Sequence, residues 1–261
     1  MAYTQSDLTY HIKELGVQPT DTLLVHSSMK AIGDVVGGAE GVLDALMAYL
    51  KPGLLIFPTL TWRQINAEYN RYDPQNEPSC IGLLPNLFLK RSGVVRSWHP
   101  THSVAAYGAD AVAYTAGEEQ WDTPCPRQGC WGKLIDRSAK ILFLGCTLKS
   151  NTFLHGVEEW NQVPNRISQT HQDLKIRLPD GTFLDRPMRR HHAPGLSISA
   201  HYDKVEAAFL AAGIARRGRF GDAACTICDA VGMNNLTSSL LQNNPDMFSN
   251  DLPVDMKCLY R

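Results

Sequence analysis

An imidazole and a carboxylate stand three residues apart in the stretch 150–158, as His155 and Glu158. Residues with this spacing share one face of an α-helix, where the carboxylate can fix the tautomer of the imidazole and support its protonated form. Thr152 lies on the same face one turn earlier and can donate a hydrogen bond. The spacing indicates a general-base site, with an ordinary Glu–His pair on a helix surface as the alternative.

A second stretch joins small hydroxyl residues at the end of an apolar run to a pair of glycines before an amphipathic segment. Its residues are His26, Ser27, Ser28 and Met29, followed by Val36, Gly37 and Gly38. Backbone N–H groups at the start of a helix favour phosphate, and glycines let a ligand approach closely. The pattern is neither a Walker loop nor GxGxxG, so it indicates neither ATP nor NAD. Anion binding and a tight strand-to-helix turn are both open.

Histidines recur in two other polar stretches. Residues 99–103 read His-Pro-Thr-His-Ser, which fits either a loop that lines a site or a structural turn with a hydrogen-bonded histidine. His191 and His192 follow two arginines, which fit either a phosphate contact or a solvated basic stretch. Adjacent strand residues point to opposite faces, and neither HxxxH nor HxH is present, so we expect no metal.

The cysteines carry weaker signals. Cys225 and Cys228 match CxxC, but they stand in a strand-like run without a second pair, which predicts structural thiols. Cys125 is a candidate nucleophile for a ping-pong reaction, although no base stands near it at a motif spacing. The chain has seven cysteines and no signal-peptide pattern, so we expect free thiols and a cytoplasmic location.

The composition removes several classes of function. Lys and Arg total 25 against 26 Asp and Glu, which gives a net charge of -1. This balance argues against nucleic acid and an anionic membrane surface as partners, so a charged substrate must be recognised by local clusters. The apolar runs are strand-sized, far short of the roughly 18–20 residues of a membrane span.

Apolar periodicity predicts the elements that position these residues. Strands are expected at 21–28, 54–57, 94–98, 103–107, 139–145 and 220–229, and helices at 39–50, 82–91, 131–137, 152–160, 205–212 and 236–241. A hairpin is expected at 173–178 and 182–184, around Pro179-Asp180-Gly181. The first strand, helix and second strand suit a right-handed crossover. The pattern predicts an α/β fold with a more antiparallel second half.

Taken in order, these stretches resemble the aminoglycoside 3-N-acetyltransferase family over about residues 7–230. The resemblance is carried by residues 24–29, 36–39, 57–59, 72–74, 78–79, 96–103, 122–124, 145–146 and 150–158. It implies one domain over residues 1–261, an αβα sandwich with a mixed central sheet, and acetyl-CoA as co-substrate. It also implies direct acetyl transfer to an amine, favouring the 3-amino group of a 2-deoxystreptamine aminoglycoside.

The resemblance assigns roles to the residues that match. His155 is expected to be the general base, Glu158 the carboxylate behind it and Thr152 a candidate oxyanion donor. The cofactor-binding expectation covers His26, Ser27, Ser28, Met29, Val36, Gly37, Gly38, Thr59 and Ser103. The protein is expected to act on a small-molecule amine as a monomer or homodimer.

The acceptor side departs from the family pattern. Aminoglycoside-modifying members often carry an acidic residue some thirty positions beyond the catalytic histidine, where this chain has Asp185 and then His191 and His192. We expect acceptor contacts from Asp73, Asp122, Glu159 and Asp185. Two alternatives stay open, namely a family acetyltransferase acting on a different metabolite amine and a CoA-binding protein without turnover.

Overall fold

The centre of the computed structural model, which describes residues 1–254, is a seven-stranded sheet with the order β4-β5-β2-β1-β6-β10-β9. A separate three-stranded sheet has the order β3-β7-β8. The strands are β1 Thr22–Ser27, β2 Leu54–Pro58, β3 Arg71–Tyr72, β4 Val95–Arg96, β5 Val104–Gly108, β6 Lys140–Leu144, β7 Lys175–Arg177, β8 Phe183–Asp185, β9 Ala215–Phe220 and β10 Ala223–Asp229.

Three parallel strands form the middle of the large sheet. β1 pairs with β2 on one side and with β6 on the other, where Val25 lies opposite Leu142 and His26 opposite Phe143. Every residue of β2 is buried, as are five of the six in β1. Continuous apolar runs of this kind are typical of strands that are covered on both faces. The predicted strands at 21–28, 54–57 and 139–145 are confirmed.

Antiparallel strands flank this parallel centre at both edges. β5 pairs antiparallel with β2 and β4 with β5, while β10 pairs antiparallel with β6 and β9 with β10. The mixed sheet is therefore confirmed. The antiparallel additions come from both halves of the chain, since β4 and β5 precede β6 in sequence.

The helices cover the two faces of the sheet and form two separate cores. One core contains apolar residues of α1–α3 and the other those of α4–α8, so the αβα sandwich is confirmed. The helices are α1 Gln5–Glu14, α2 Gly38–Tyr49, α3 Leu83–Phe88, α4 Ala111–Thr115, α5 Cys130–Asp136, α6 Thr152–Trp160, α7 Glu206–Ala211 and α8 Ala230–Asn243. Within residues 1–254, none of them has the length and apolar character needed to cross a membrane.

Two elements at the ends of the chain were not expected from periodicity. α1 begins at a capping box in which the Thr4 side chain accepts from the Asp7 backbone and Asp7 accepts from Thr4 in return. The predicted strand 220–229 corresponds to β10, whereas the preceding strand β9 was not predicted; Gly221 in the turn between them has a φ of 60°. The sequence of β9, ARRGRF, lacks an apolar run because it is an exposed edge strand.

The first helix packs against this late hairpin. The Leu15 side chain covers Gly218, where an added Cβ would come within 2.6 Å of it. The Gly221 N–H donates to His11 Nδ1 at 3.2 Å, and Tyr3 Oη donates to Asp222 at 2.6 Å. Residues more than 200 positions apart are thus joined at one edge of the sandwich.

The predicted hairpin near residue 180 is confirmed as β7 and β8, and β7 also pairs with β3. This small sheet has its own apolar cluster, made of Ile65, Tyr72, Leu174, Ile176 and Met188.

Burial on both faces of β6 gives a test of the layered fold. Leu142 and Phe143 are neighbours, both fully buried, and they face opposite cores. We expect each alanine substitution to lower the free energy of unfolding by about 2–5 kcal/mol, since each leaves a cavity. Arg219→Ala on exposed β9 should change it by less than about 0.5 kcal/mol. Chemical denaturation measures all three, and a small loss for either core variant would contradict the three-layer arrangement.

Candidate active site

Helix α6 presents the predicted acid–base pair at the end of the central strand β6. The Asn151 side chain accepts from the Phe153 N–H at 3.2 Å and so starts the helix. The helix covers the predicted range 152–160. His155 borders a cavity, and Glu158, one turn later, is fully buried beneath it.

Glu158 is held by a cation that periodicity did not single out. Arg166 Nε lies 2.7 Å from Glu158 Oε1, and both side chains are buried. Burial raises the pKa of Glu158, while hydrogen bonds from Tyr202 and Arg166 oppose that rise. The buried carboxylate therefore has a charged partner that favours its ionised form.

Tyr202 stands between the histidine and the carboxylate. Its hydroxyl oxygen lies 2.7 Å from His155 Nδ1 and 2.5 Å from Glu158 Oε2. The direct distance from His155 Nδ1 to Glu158 Oε2 is 3.7 Å, too long for a good hydrogen bond. Tyr202 comes from a different segment of the chain, so no local spacing indicated it.

The cavity beside His155 has a volume of about 380 Å³. Four of the predicted site residues line it: His26, Ser27, Thr152 and His155. Residues of other elements complete the wall, including Trp62, His102, Lys149, Arg190, His191 and Ser199.

Three histidines line one side of the cavity in a row. The ring of His155 stacks on His191 with centroids 4.5 Å apart, and His191 meets the edge of His102 at 4.8 Å. Burial lowers the pKa of His155 to about 4 and holds those of His102 and His191 well below their usual value. At neutral pH these rings are uncharged, so His155 is in the form that can accept a proton.

The family profile described as "Aminoglycoside 3-N-acetyltransferase" matches residues 24–242 of this chain. The match spans most of the sequence and includes all the residues that line the cavity. The chain belongs to the aminoglycoside 3-N-acetyltransferase family.

Relatives and solved structures agree with this membership. The chain is 28% identical to aminoglycoside N(3)-acetyltransferase IX of Micromonospora chalcea over 270 residues, covering 92% of this chain and 93% of the relative. It is 31% identical to aminoglycoside N(3)-acetyltransferase VII of Streptomyces paromomycinus over 251 residues, covering 84% and 85%. The aminoglycoside acetyltransferase AAC(3)-Xa superposes with a TM-score of 0.80 at 26% identity, covering 97% and 95%. The fold of AAC-IIIb, solved as a binary complex with CoASH, superposes with a TM-score of 0.82 at 23% identity, covering 93% and 97%.

Two residues that the family resemblance assigns to the cofactor lie behind the cavity wall. Thr59 and Ser103 are fully buried and share a hydrogen bond of 3.0 Å. Arg96 donates to Ser103 Oγ at 3.1 Å and to the Thr59 carbonyl at 2.8 Å. Neither residue lines the cavity, so their hydroxyls join β2 to β5 and have no exposed surface for a ligand.

The other cofactor candidates follow β1 in the chain, either directly after it or at the start of α2. Gly37 and Gly38 have φ angles of 78° and 58°, which favour glycine, and Val36 is exposed. Ser28 begins the short turn that contains Met29, directly after cavity-lining Ser27. None of these five residues lines the cavity, and their role toward acetyl-CoA stays a prediction.

The four acids expected to contact the acceptor do not line the cavity either. Asp73 pairs with Arg177 at 2.9 Å, and Asp185 pairs with Lys175 on the small sheet. Asp122 pairs with His171 and Arg189. Glu159 accepts from the Thr123 hydroxyl and, at 3.0 Å, from the Cys125 N–H. Burial raises the pKa of Glu159 to about 7.

The polar loop 99–103 is a structural turn at His99. Its Nδ1 accepts from the His102 N–H at 2.9 Å, and its Nε2 lies 2.8 Å from the Thr123 carbonyl. Both ring nitrogens are therefore occupied by backbone groups. His102 is the member of this loop that reaches the cavity.

The six cysteines within residues 1–254 are buried or half-buried thiols. Cys225 and Cys228 belong to opposite cores, so the CxxC spacing does not form a pair. Burial holds the pKa of Cys125 well above its usual value, which disfavours the thiolate. Cys125, Glu159 and His191 place ligand atoms within 4.8 Å of one another, a set that zinc can accept. The expectation of no metal stays a prediction.

The buried ion pair beneath His155 can be tested by removing its cation. We expect Arg166→Met to lower the free energy of unfolding by about 3–5 kcal/mol at pH 7, since it leaves the Glu158 carboxylate buried without a charged partner. Arg177→Met, at a half-exposed pair, should cost less than about 1 kcal/mol.

The pH dependence of this loss follows from the same charge. Burial without Arg166 raises the pKa of Glu158 further, so the variant gains a proton on Glu158 as the pH falls. The difference in free energy of unfolding between wild type and Arg166→Met should therefore become smaller from pH 8 to pH 5. Denaturant titrations at each pH measure it. A gap that stays constant or widens would show that Glu158 does not depend on Arg166 for its charge.

Proposed function

We propose that this protein transfers the acetyl group of acetyl-CoA directly to an amine, with His155 as the general base. The observation that carries the proposal is the placement of His155. Its ring borders the cavity, its Nδ1 is bound by Tyr202, and no residue within 1–254 hydrogen-bonds its Nε2. The free nitrogen is the one that can take a proton from a substrate.

The reaction needs one proton removed and one returned. A deprotonated amine attacks the thioester carbonyl, and His155 Nε2 accepts the proton that the nitrogen loses as the C–N bond forms. The C–S bond then breaks, and the CoA thiolate receives a proton. A hydroxyl or N–H donor stabilises the oxyanion, which is typically worth about 3–4 kcal/mol. Thr152 lines the cavity and is better placed for this role than the backbone of residues 36–38.

A cysteine nucleophile is the less favoured route. Cys125 is fully buried, and its high pKa keeps it as a thiol. Its thiol donates to the Thr152 carbonyl at 3.9 Å, and the charge of the nearby Glu159 carboxylate raises its pKa further. Direct transfer accounts for the cavity-lining imidazole without an acetyl-cysteine intermediate.

The relatives favour an aminoglycoside amine as the acceptor, since their names state that activity.

A second candidate is a different, less cationic amine. Within residues 1–254, no carboxylate lines the cavity, whereas Arg190 and Lys149 do. Arg190 donates to the Ile65 and Trp62 carbonyls and to the Gln172 side chain, so its charge has no acidic partner there. A wall of this kind suits an amine that also carries a carboxylate or phosphate.

His155→Ala tests the base. We expect the turnover number to fall by about 10²–10⁴-fold while acetyl-CoA still binds, since only the proton acceptor is lost. Glu158→Gln should lower the turnover number less, because it keeps the shape of the side chain and removes only its charge. Thiol release measures turnover, and calorimetry measures acetyl-CoA binding. Near wild-type turnover by His155→Ala would contradict the proposed mechanism.

The pH profile adds a second readout for the base. The pKa of His155 is lowered to about 4, so the ring is unprotonated throughout pH 6–8. We expect kcat/KM over that range to follow the ionisation of the amine alone. A histidine limb near pH 6.5 that disappears in His155→Ala would contradict the burial of this ring.

An amine panel decides between the two acceptor classes. It compares a polycationic aminoglycoside, an amine with no other charge and an amine that bears a carboxylate. If the second candidate is right, kcat/KM is highest for the anionic amine, and Arg190→Gln lowers it by about tenfold or more. Arg127→Gln is the control, because Arg127 pairs with Asp136 and does not line the cavity. Highest kcat/KM for the aminoglycoside, unaffected by Arg190→Gln, would leave the relatives' acceptor as the correct one.

A further inference from the structure

Tyr202 separates the two residues that sequence spacing pairs. A helix brings His155 and Glu158 to the same face, but their nearest polar atoms are 3.7 Å apart. The Tyr202 hydroxyl fills this gap, at 2.7 Å from the ring nitrogen and 2.5 Å from the carboxylate oxygen. The contact between base and carboxylate therefore passes through a phenol.

The position of Tyr202 is fixed by its surroundings. Its side chain is fully buried, and its ring meets His155 at 5.0 Å and Phe248 at 4.7 Å, both edge to face. Arg166, which binds the other oxygen of Glu158, also donates to Ser249 Oγ at 3.1 Å. The segment around Phe248 thus holds both partners of the carboxylate in place.

Counting protons decides the direction of these hydrogen bonds. A phenol has a single proton, and an ionised carboxylate can only accept. Arg166 favours the ionised form of Glu158, so the Tyr202 proton points to Glu158 Oε2. The Tyr202 oxygen must then accept, and His155 must carry its own proton on Nδ1. The lone pair of the ring is left on Nε2.

We infer that Tyr202 is the positioning residue for His155. Its hydroxyl fixes the Nδ1–H tautomer, and it transmits the electrostatic effect of the Glu158 carboxylate to the ring. The inference rests on the proposed function, in which Nε2 accepts the proton of the amine. When it does so, the Nδ1–H bond to the Tyr202 oxygen strengthens, because that oxygen is polarised by its own bond to the carboxylate. The Tyr202 proton stays on its oxygen, so no proton crosses from His155 to Glu158.

The activity test removes one oxygen atom. Tyr202→Phe should lower kcat by about 10- to 100-fold, the usual effect of removing a group that orients a functional histidine. The KM values for acetyl-CoA and the amine should change little. Tyr114→Phe is the matched control, because Tyr114 is also fully buried and its hydroxyl donates to the Cys130 carbonyl at 2.7 Å, away from His155. Full kcat in Tyr202→Phe, with its fold intact by thermal unfolding, would overturn the inference.

A double variant tests whether the two residues act in series. If Glu158 works through Tyr202, then Tyr202→Phe combined with Glu158→Gln should lose little more activity than the worse single variant. If the two fold-losses in activity multiply in the double variant, Glu158 supports His155 independently of Tyr202. That result would contradict the inference.

The tautomer is measured directly on the wild-type protein. Long-range ¹H–¹⁵N correlation spectra separate Nδ1–H from Nε2–H histidines, and the signal that is missing in His155→Gln assigns the ring. We expect Nδ1–H in wild type and a mixed or inverted tautomer in Tyr202→Phe. An Nε2–H tautomer in wild type would overturn the inference. If His155→Ala keeps its turnover, the proposed function is wrong. If Tyr202→Phe keeps its turnover but His155→Ala does not, only the role of Tyr202 is wrong.

Discussion

The arrangement of this site depends on one buried ion pair, between Glu158 and Arg166. Burying a carboxylate without a partner costs several kcal/mol, and the group would take up a proton instead. Arg166 offsets that cost, so Glu158 can remain an acceptor beneath the cavity floor. An acceptor there orients the Tyr202 hydroxyl, and the hydroxyl orients His155. Without Arg166, Glu158 would take up a proton and could donate to Tyr202. The Tyr202 hydroxyl could then donate to His155 Nδ1.

The sequence predicted the parts of this arrangement that are local. The helical spacing of His155 and Glu158 predicted α6 over its full range, because helix formation depends on neighbours in the chain. The strands β1, β2 and β6 were predicted because each is a continuous apolar run, which is also a local property of the sequence. Tyr202 and Arg166 were not, since nothing in their own neighbours distinguishes them from ordinary core or surface residues. Only the folded chain brings them to Glu158.

A residue that matches a family motif can also serve the fold. Thr59 and Ser103 belong to stretches that resemble the family, yet their hydroxyls bind each other, and Arg96 donates to the Ser103 hydroxyl and to the Thr59 carbonyl. A buried arginine needs acceptors, and these two residues supply them where β2 and β5 end. Sequence alone cannot separate this structural demand from a catalytic one, because both select small polar residues beside the site. The same ambiguity applied to His99, whose ring nitrogens both bind backbone groups.

The packing of α1 on the β9–β10 hairpin has a consequence for how the protein is made. Leu15 is buried against Gly218, and His11 receives the N–H of Gly221, about two hundred residues later in the chain. At roughly 5–20 residues per second, a ribosome delivers that hairpin about 10–40 s after the helix. During this interval, the α1 surface that β9 will cover has no native partner. The docking of α1 at this edge is therefore a late step of folding, because it must follow the synthesis of β9 and β10.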